Sequence, residues 1–172
     1  LVPPAPTIGF GRTVAVSGSN VAGGADLGAG GVFIFVGSTG ALRSDLRSRD
    51  PGATSFGQAV AVDGDLVVVG SWRIGRAYLF DAASGALLQT FQSPDPVPLD
   101  PYEDSFGRAV AIEGGVVLIG SPWSARGAGE GAARLYDAQS GALLRTFRDA
   151  TPGDYDYFGS AVALAGGRAI VG

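Results

Sequence analysis

The sequence predicts an all-β protein made of four-stranded antiparallel units standing side by side as β-propeller blades, about three and a half repeats long. Three observations predict it. A Phe-Gly pair recurs at Phe10, Phe56, Phe106 and Phe158, at spacings of 46, 50 and 52 residues. Each pair opens a series of short apolar runs rich in Val, Ile, Phe and Tyr and bounded by Gly, Asp or Ser. That is a strand and hairpin pattern, and no stretch keeps a helical period long enough to compete. Four antiparallel strands per ~45–50 residues is the period expected of a propeller blade. The 29 glycines and ten prolines among 172 residues punctuate the chain too densely for helices.

The first strand of each unit follows Phe-Gly, in the phrases FGRTVAV, FGQAVAV, FGRAVAI and FGSAVAL. It alternates Ala with a branched residue, as in Ala59-Val60-Ala61-Val62, so period-2 geometry puts Ala on one face and Val or Ile on the other. Small residues suit an innermost strand, where sheets approach closely. A tight turn follows at Asp63-Gly64, Glu113-Gly114 or Ala165-Gly166. The second strand (LVVVG, VVLIG, RAIVG) is apolar on both faces, as a strand sandwiched between neighbours requires. The third strand is GGVFIF, GRAYLF or GAARLY. The turns Asp81-Ala-Ala-Ser-Gly and Asp137-Ala-Gln-Ser-Gly are polar hairpins leading to the fourth strand. That strand carries Gln89 and Arg145, which suits a wetter outer edge.

The boundaries read as an extended segment over 1–8 and blades over 9–55, 56–105 and 106–157, with the first two strands of a fourth blade over 158–172. The ring is therefore incomplete within this chain. Either these residues are a portion of a longer protein, or a partner pairs with the exposed half-blade edge. The opening LVPPAP reads as a mature N-terminus or a linker, any signal peptide having gone.

Composition removes several function classes. The net charge is −4 with all twelve basic residues Arg, and the pI is near 4.6. No basic stripe exists to neutralise phosphates, so nucleic acid is not expected as a partner. No run of 18 apolar residues exists, so membrane insertion is not expected. With no His and no Cys, Ser-His-Asp and Cys-His catalysis and His- or Cys-ligated zinc are excluded within this chain. The Gly-rich stretch from Gly23 to Gly31 shows no Walker or Rossmann pattern and reads as a loop. No cofactor and no catalytic residue are expected.

Phe-Gly, a strand, and a second strand ending in Ile119-Gly120-Ser121-Pro122 resemble the FG-GAP repeat, over roughly residues 9–172. The resemblance implies a propeller like those of integrin α chains and of many bacterial extracellular proteins. It implies an extracellular or cell-surface location and a role in adhesion. Calcium-binding members carry a DxDxDG-like loop between the first and second strands. Here those positions are only Ser17-Gly18-Ser19-Asn20, Asp63-Gly64-Asp65, Glu113-Gly114-Gly115 and Ala165-Gly166-Gly167. Calcium wants about six to eight oxygen ligands, so the calcium role is not carried over and no metal is expected.

The loops between strands 1–2 and 3–4 are tight, whereas those between strands 2–3 and between blades are long and varied, and the latter share one face. Such loops over a rigid scaffold carry function. The 2–3 loops hold Asp26, Trp72, Arg73, Trp123 and Arg126. The inter-blade loops hold Arg49, Asp50, Asp95, Asp100, Tyr102, Glu103, Asp104, Asp154, Tyr155, Asp156 and Tyr157. From these, Trp72, Arg73, Tyr102, Trp123, Arg126, Tyr155 and Tyr157 are the candidate binding residues, because Trp, Tyr and Arg dominate interfaces and exposed aromatics stack on sugars. Against this, Trp72 and Trp123 sit at matching repeat positions, as residues that simply plug the gap between blades would. Asp104, Asp154 and Asp156 suit a metal cluster less well than turns in which a carboxylate bonds loop backbone.

The expected function is a non-catalytic extracellular module binding a protein or glycan through the long-loop face. The alternatives are a structural subunit self-associating through the half-blade edge, and a carbohydrate-active enzyme using loop carboxylates.

Overall fold

The computed structural model describes residues 1–3, 7–25, 30–50, 52–94, 105–123, 131–151, 153 and 156–172. Blade 1 is an antiparallel sheet of β1 (Thr13–Ser17), β2 (Asn20–Ala25), β3 (Gly31–Val36) and β4 (Leu42–Leu46). Blade 2 repeats the order with β5 (Ala59–Asp63), β6 (Leu66–Ser71), β7 (Arg76–Asp81) and β8 (Leu87–Gln92). Blade 3 is β9 (Ala109–Glu113), β10 (Val116–Ser121), β11 (Ala132–Asp137) and β12 (Leu143–Phe147). Blade 4 is the pair β13 (Val162–Ala165) and β14 (Arg168–Val171). The fold class matches the expectation.

The first strands lie innermost, β1 against β5, β5 against β9 and β9 against β13. Their alternation has a direction. Val60 and Val62 pack back toward blade 1, and Ala61 packs forward toward blade 3. In the first three blades the Phe of the Phe-Gly pair packs on the third strand of its own blade, with Phe56 5.6 Å from Tyr78, Phe106 6.1 Å from Tyr136 and Phe10 5.7 Å from Phe33. One core therefore forms at each blade joint rather than one for the whole chain, as expected of a repeat architecture.

Glycine sets the spacing of these joints. A Cβ added at Gly24, Gly70 or Gly120 would fall on the carbonyl oxygen of Gly57, Gly107 or Gly159 of the next blade. Those partners are the Gly of each Phe-Gly pair, at φ of 92°, 89° and 96°, a region that residues with a Cβ rarely adopt. Gly23 and Gly24, expected in a loop, lie inside β2. The reason is the same close approach, which needs Gly24 where blade 2 meets blade 1.

A polar staple repeats beneath each joint. Gly64 donates its N–H to Ser17 Oγ at 3.0 Å, Gly114 to Asp63 Oδ2 at 2.8 Å and Gly166 to Glu113 Oε1 at 2.9 Å. The corresponding position in blade 4 is Ala165, which has no side-chain acceptor. Each third-to-fourth-strand ladder also slips once, between Ile34 and Phe35, Leu79 and Phe80, and Leu135 and Tyr136. These bulges turn Leu88 and Leu144 outward into solvent.

The ring is not closed. Val14 and Val16, whose counterparts in blade 2 face the preceding blade, are 72% and 70% exposed, and Ile170 on β14 is 67% exposed. Among the described residues no helix is long and apolar enough to cross a membrane.

Candidate functional site

In an antiparallel blade the start of strand 1, the end of strand 2 and the start of strand 3 share one end. The 2–3 and inter-blade connections therefore meet on one rim, opposite the tight turns. At this rim the residue following each Phe-Gly pair (Arg12, Gln58, Arg108 or Ser160) stands at the entry to an innermost strand.

Trp72 begins a single 3-10 turn, Trp72–Ile74, closed by Gly75 at φ 60°. The turn is tied to the preceding inter-blade loop where the Arg73 N–H donates to Ser55 Oγ at 2.9 Å. The Trp72 indole N–H donates to Gln58 Oε1 at 2.5 Å. The Arg73 guanidinium lies 4.9 Å from the centroid of that indole, and the Arg108 guanidinium, contributed by blade 3, lies 5.1 Å from it. Cation–π attraction at such distances is worth about 0.5–1 kcal/mol at exposed sites. Trp72 is half-buried, and it bridges the joint between blades 2 and 3.

Trp123 occupies the matching position in blade 3, after Ser121 and Pro122, and reaches the next joint in the same way. Its ring centroid lies 5.0 Å from that of Tyr157 with the planes at 54°. Trp123 stays 42% exposed. Tyr157 holds a left-handed backbone at φ 54°. The same left-handed backbone recurs directly before Phe10 and Phe106, at Gly9 and Ser105, so it belongs to the turn that enters the blade. Each tryptophan sits at a blade joint, Trp72 against Arg108 of blade 3 and Trp123 against Tyr157 of the connection leading to blade 4.

The acids of the rim do different work. Asp50 accepts a hydrogen bond from the Tyr78 hydroxyl and forms an ion pair with Arg76. The hydrogen bond from Arg76, then that from Tyr78, holds the Asp50 carboxyl below the usual carboxylate range. Burial, reinforced by Asp50, pushes the Tyr78 hydroxyl up to about 12. Asp149 accepts the Thr151 N–H at 2.8 Å, and Asp156 accepts the Gly153 N–H. Carboxylates bonded in this way fix loops. Arg49 is exposed on the same loop as Asp50. Among the described residues no group of three His, Cys, Asp or Glu is placed to hold a metal ion.

Of the candidate binding residues, Trp72, Arg73, Trp123 and Tyr157 meet in these two clusters. Tyr102, Arg126 and Tyr155 lie outside the described residues, as do Asp26, Asp95, Asp100, Glu103, Asp104 and Asp154. Gln58 and Arg108 were missed as site residues. Their signal was available, because they vary at a fixed place in an otherwise repeated phrase. Arg134 was missed too. It is fully buried where blades 1 and 2 carry Phe33 and Tyr78, and it donates to Ser121 Oγ at 2.5 Å.

On the opposite face, a cavity of about 520 Å³ between blades 2 and 3 is lined by Leu66, Leu79, Leu88, Val116 and Asp137. The Asp137 carboxylate is already taken by the Ser140 N–H and hydroxyl at 2.7 and 2.6 Å.

Residues 102–136 match the family described as FG-GAP repeat. No curated protein shows significant similarity to the chain. Among solved structures, the computationally designed Ika4 protein is similar with a TM-score of 0.67 at 18% identity, over 98% of this chain and 88% of that one. BamB from Moraxella catarrhalis is similar with a TM-score of 0.55 at 22% identity, over 81% of this chain and 37% of that one. A europium-containing methanol dehydrogenase is similar with a TM-score of 0.59 at 14% identity, over 80% of this chain and 24% of that one. At such identities the likeness speaks to fold alone.

Proposed function

We propose that this β-propeller chain, whose residues 102–136 match the FG-GAP repeat, is a non-catalytic extracellular or cell-surface module that holds a glycan on its long-loop rim. The observation that carries this reading is the Trp123–Tyr157 pair. Its aromatic surface is partly open to solvent, with Trp123 42% exposed and the Tyr157 ring 5.0 Å from it. Sugar rings bury their C–H faces on such surfaces, and an aromatic pair fixed by its scaffold loses little rotamer freedom on binding. The rim carboxylates in view are engaged with backbone groups or Arg76, which favours binding over acid–base chemistry.

The test is a glycan array followed by titration calorimetry on the strongest hit. Trp123→Ala should weaken binding by tenfold or more, as expected for a buried aromatic anchor. Binding untouched by Trp123→Ala and Tyr157→Ala would overturn the glycan reading, and capture of a protein through the same residues would replace it.

A further inference from the structure

The residue after each Phe-Gly pair is the variable letter of a repeated phrase. It is Arg12, Gln58, Arg108 or Ser160, while the next four residues keep one pattern, TVAV, AVAV, AVAI or AVAL. The constant letters bury one blade against the next. The variable one stands where the innermost strands converge, and in blades 3 and 4 it is exposed. A variable position outside the apolar joint cores, repeated around the mouth of an axis, is suited to choosing a ligand.

Two of these residues, from adjacent blades, converge on one side chain. The Trp72 indole is fixed by its hydrogen bond to Gln58 Oε1 at 2.5 Å, and the Arg108 and Arg73 guanidinium groups lie 5.1 and 4.9 Å from its ring centroid. Both positive charges therefore sit within ~10 Å of each other on a protein of net charge −4. The exposed Arg108 guanidinium, attracted to the aromatic face, keeps in-plane N–H donors whose fork matches a carboxylate or sulfate. The acids described on this rim are engaged elsewhere. Asp50 pairs with Arg76, Asp149 accepts the Thr151 N–H and Asp156 accepts the Gly153 N–H.

We infer that Arg108, held over Trp72 and supported by Gln58 and Arg73, forms an anion subsite on the same rim as the Trp123–Tyr157 surface, so that the rim takes a polysaccharide bearing carboxylate or sulfate groups. This rests on the glycan reading of the rim. It adds that the ligand is acidic, with stacking supplied by Trp123 and Tyr157 and charge recognition by Arg108. The indole of Trp72 positions the cation and is not itself the sugar platform.

The test uses the full chain with polygalacturonate, dextran sulfate and neutral dextran in calorimetric titrations at two salt concentrations. At least one acidic polymer should bind tenfold or more tightly than dextran, with affinity falling as salt rises, and which one binds separates carboxylate from sulfate. Arg108→Gln should remove about tenfold of that preference, as expected for a hydrogen bond to a charged group. Arg145→Gln, on the exposed outer strand β12, should leave it unchanged. Arg108 is exposed, so thermal unfolding should show both variants folded. An acid preference unaffected by Arg108→Gln, or reduced equally by Arg145→Gln, overturns the subsite. Dextran binding as tightly as the acidic polymers overturns it while the glycan reading stands. If none of the three polymers binds, both fall.

Discussion

Gly70 ends the apolar run of β6, and the Gly107 carbonyl of blade 3 rests directly on it. A methyl group built there would have the carbonyl carbon at 3.1 Å and the oxygen nearer still, where an ordinary C···O approach is about 3.3 Å or more. The carbonyl cannot swing aside cheaply, because the Gly107 N–H is bonded to Gly120 O at 3.0 Å. Gly70→Ala must therefore push blades 2 and 3 apart along their shared core. Overpacking of this kind costs about 1–3 kcal/mol. A joint whose two sides are both main chain belongs at the upper end, so we expect a loss near ~3 kcal/mol and a fall in Tm of roughly 6–10 °C. The sign is informative, since replacing a strand glycine by alanine where space exists gains about 0.5–1 kcal/mol. Gly172 occupies the same place in blade 4 with nothing within 4 Å, and Gly172→Ala should leave stability unchanged or slightly higher. Thermal and denaturant unfolding followed by circular dichroism measure both. If Gly70→Ala matched Gly172→Ala, glycine contact could not be what sets blade spacing.

The rim network predicts both pH limbs. Asp50 has its carboxyl held below the free value of 3.8, so the stability it adds is complete above that value and is lost as pH falls through the lower folded one. Asp50→Asn should cost about 1 kcal/mol at neutral pH, given its partial exposure, and should flatten the acid limb of Tm against pH. An acid limb as steep as the parent's would count against the ion pair. Tyr78 is the opposite case. Its hydroxyl is raised from 10 to about 12, so its contribution is intact below pH 10 and is lost as pH climbs toward 12. Tyr78→Phe should unfold less steeply over that alkaline interval, as monitored by fluorescence, and an unchanged alkaline slope would contradict the assignment.

Much of this architecture was legible because period-2 alternation and turn glycines are local signals. Ala59 to Val62 announce an inner strand, and the regular spacing of Phe56 and Phe106 announces a core. What escaped was set by contacts between units. The outward turn of Leu88 and Leu144 follows from a ladder slip that no single strand encodes. Gly24 looked like a loop residue because its partner, the Gly57 carbonyl, lies 33 positions away. The hold of Gln58 and Arg108 on Trp72 spans two blades, and the burial of Arg134 depends on how blade 3 meets blade 2. Trp123 and Tyr157 were legible as candidates by residue type. Their mutual stacking was not, since neither periodicity nor motif reports a pair 34 residues apart.

Main chain resting on main chain at Gly70 and Gly107 also determines what can change without harm. The closest contact between these neighbouring blades is main chain on main chain, whichever side chains line the mouth of the axis. Substitutions at Arg12, Gln58, Arg108 and Ser160 can retune recognition one unit at a time, while the frame that presents them keeps its dimensions.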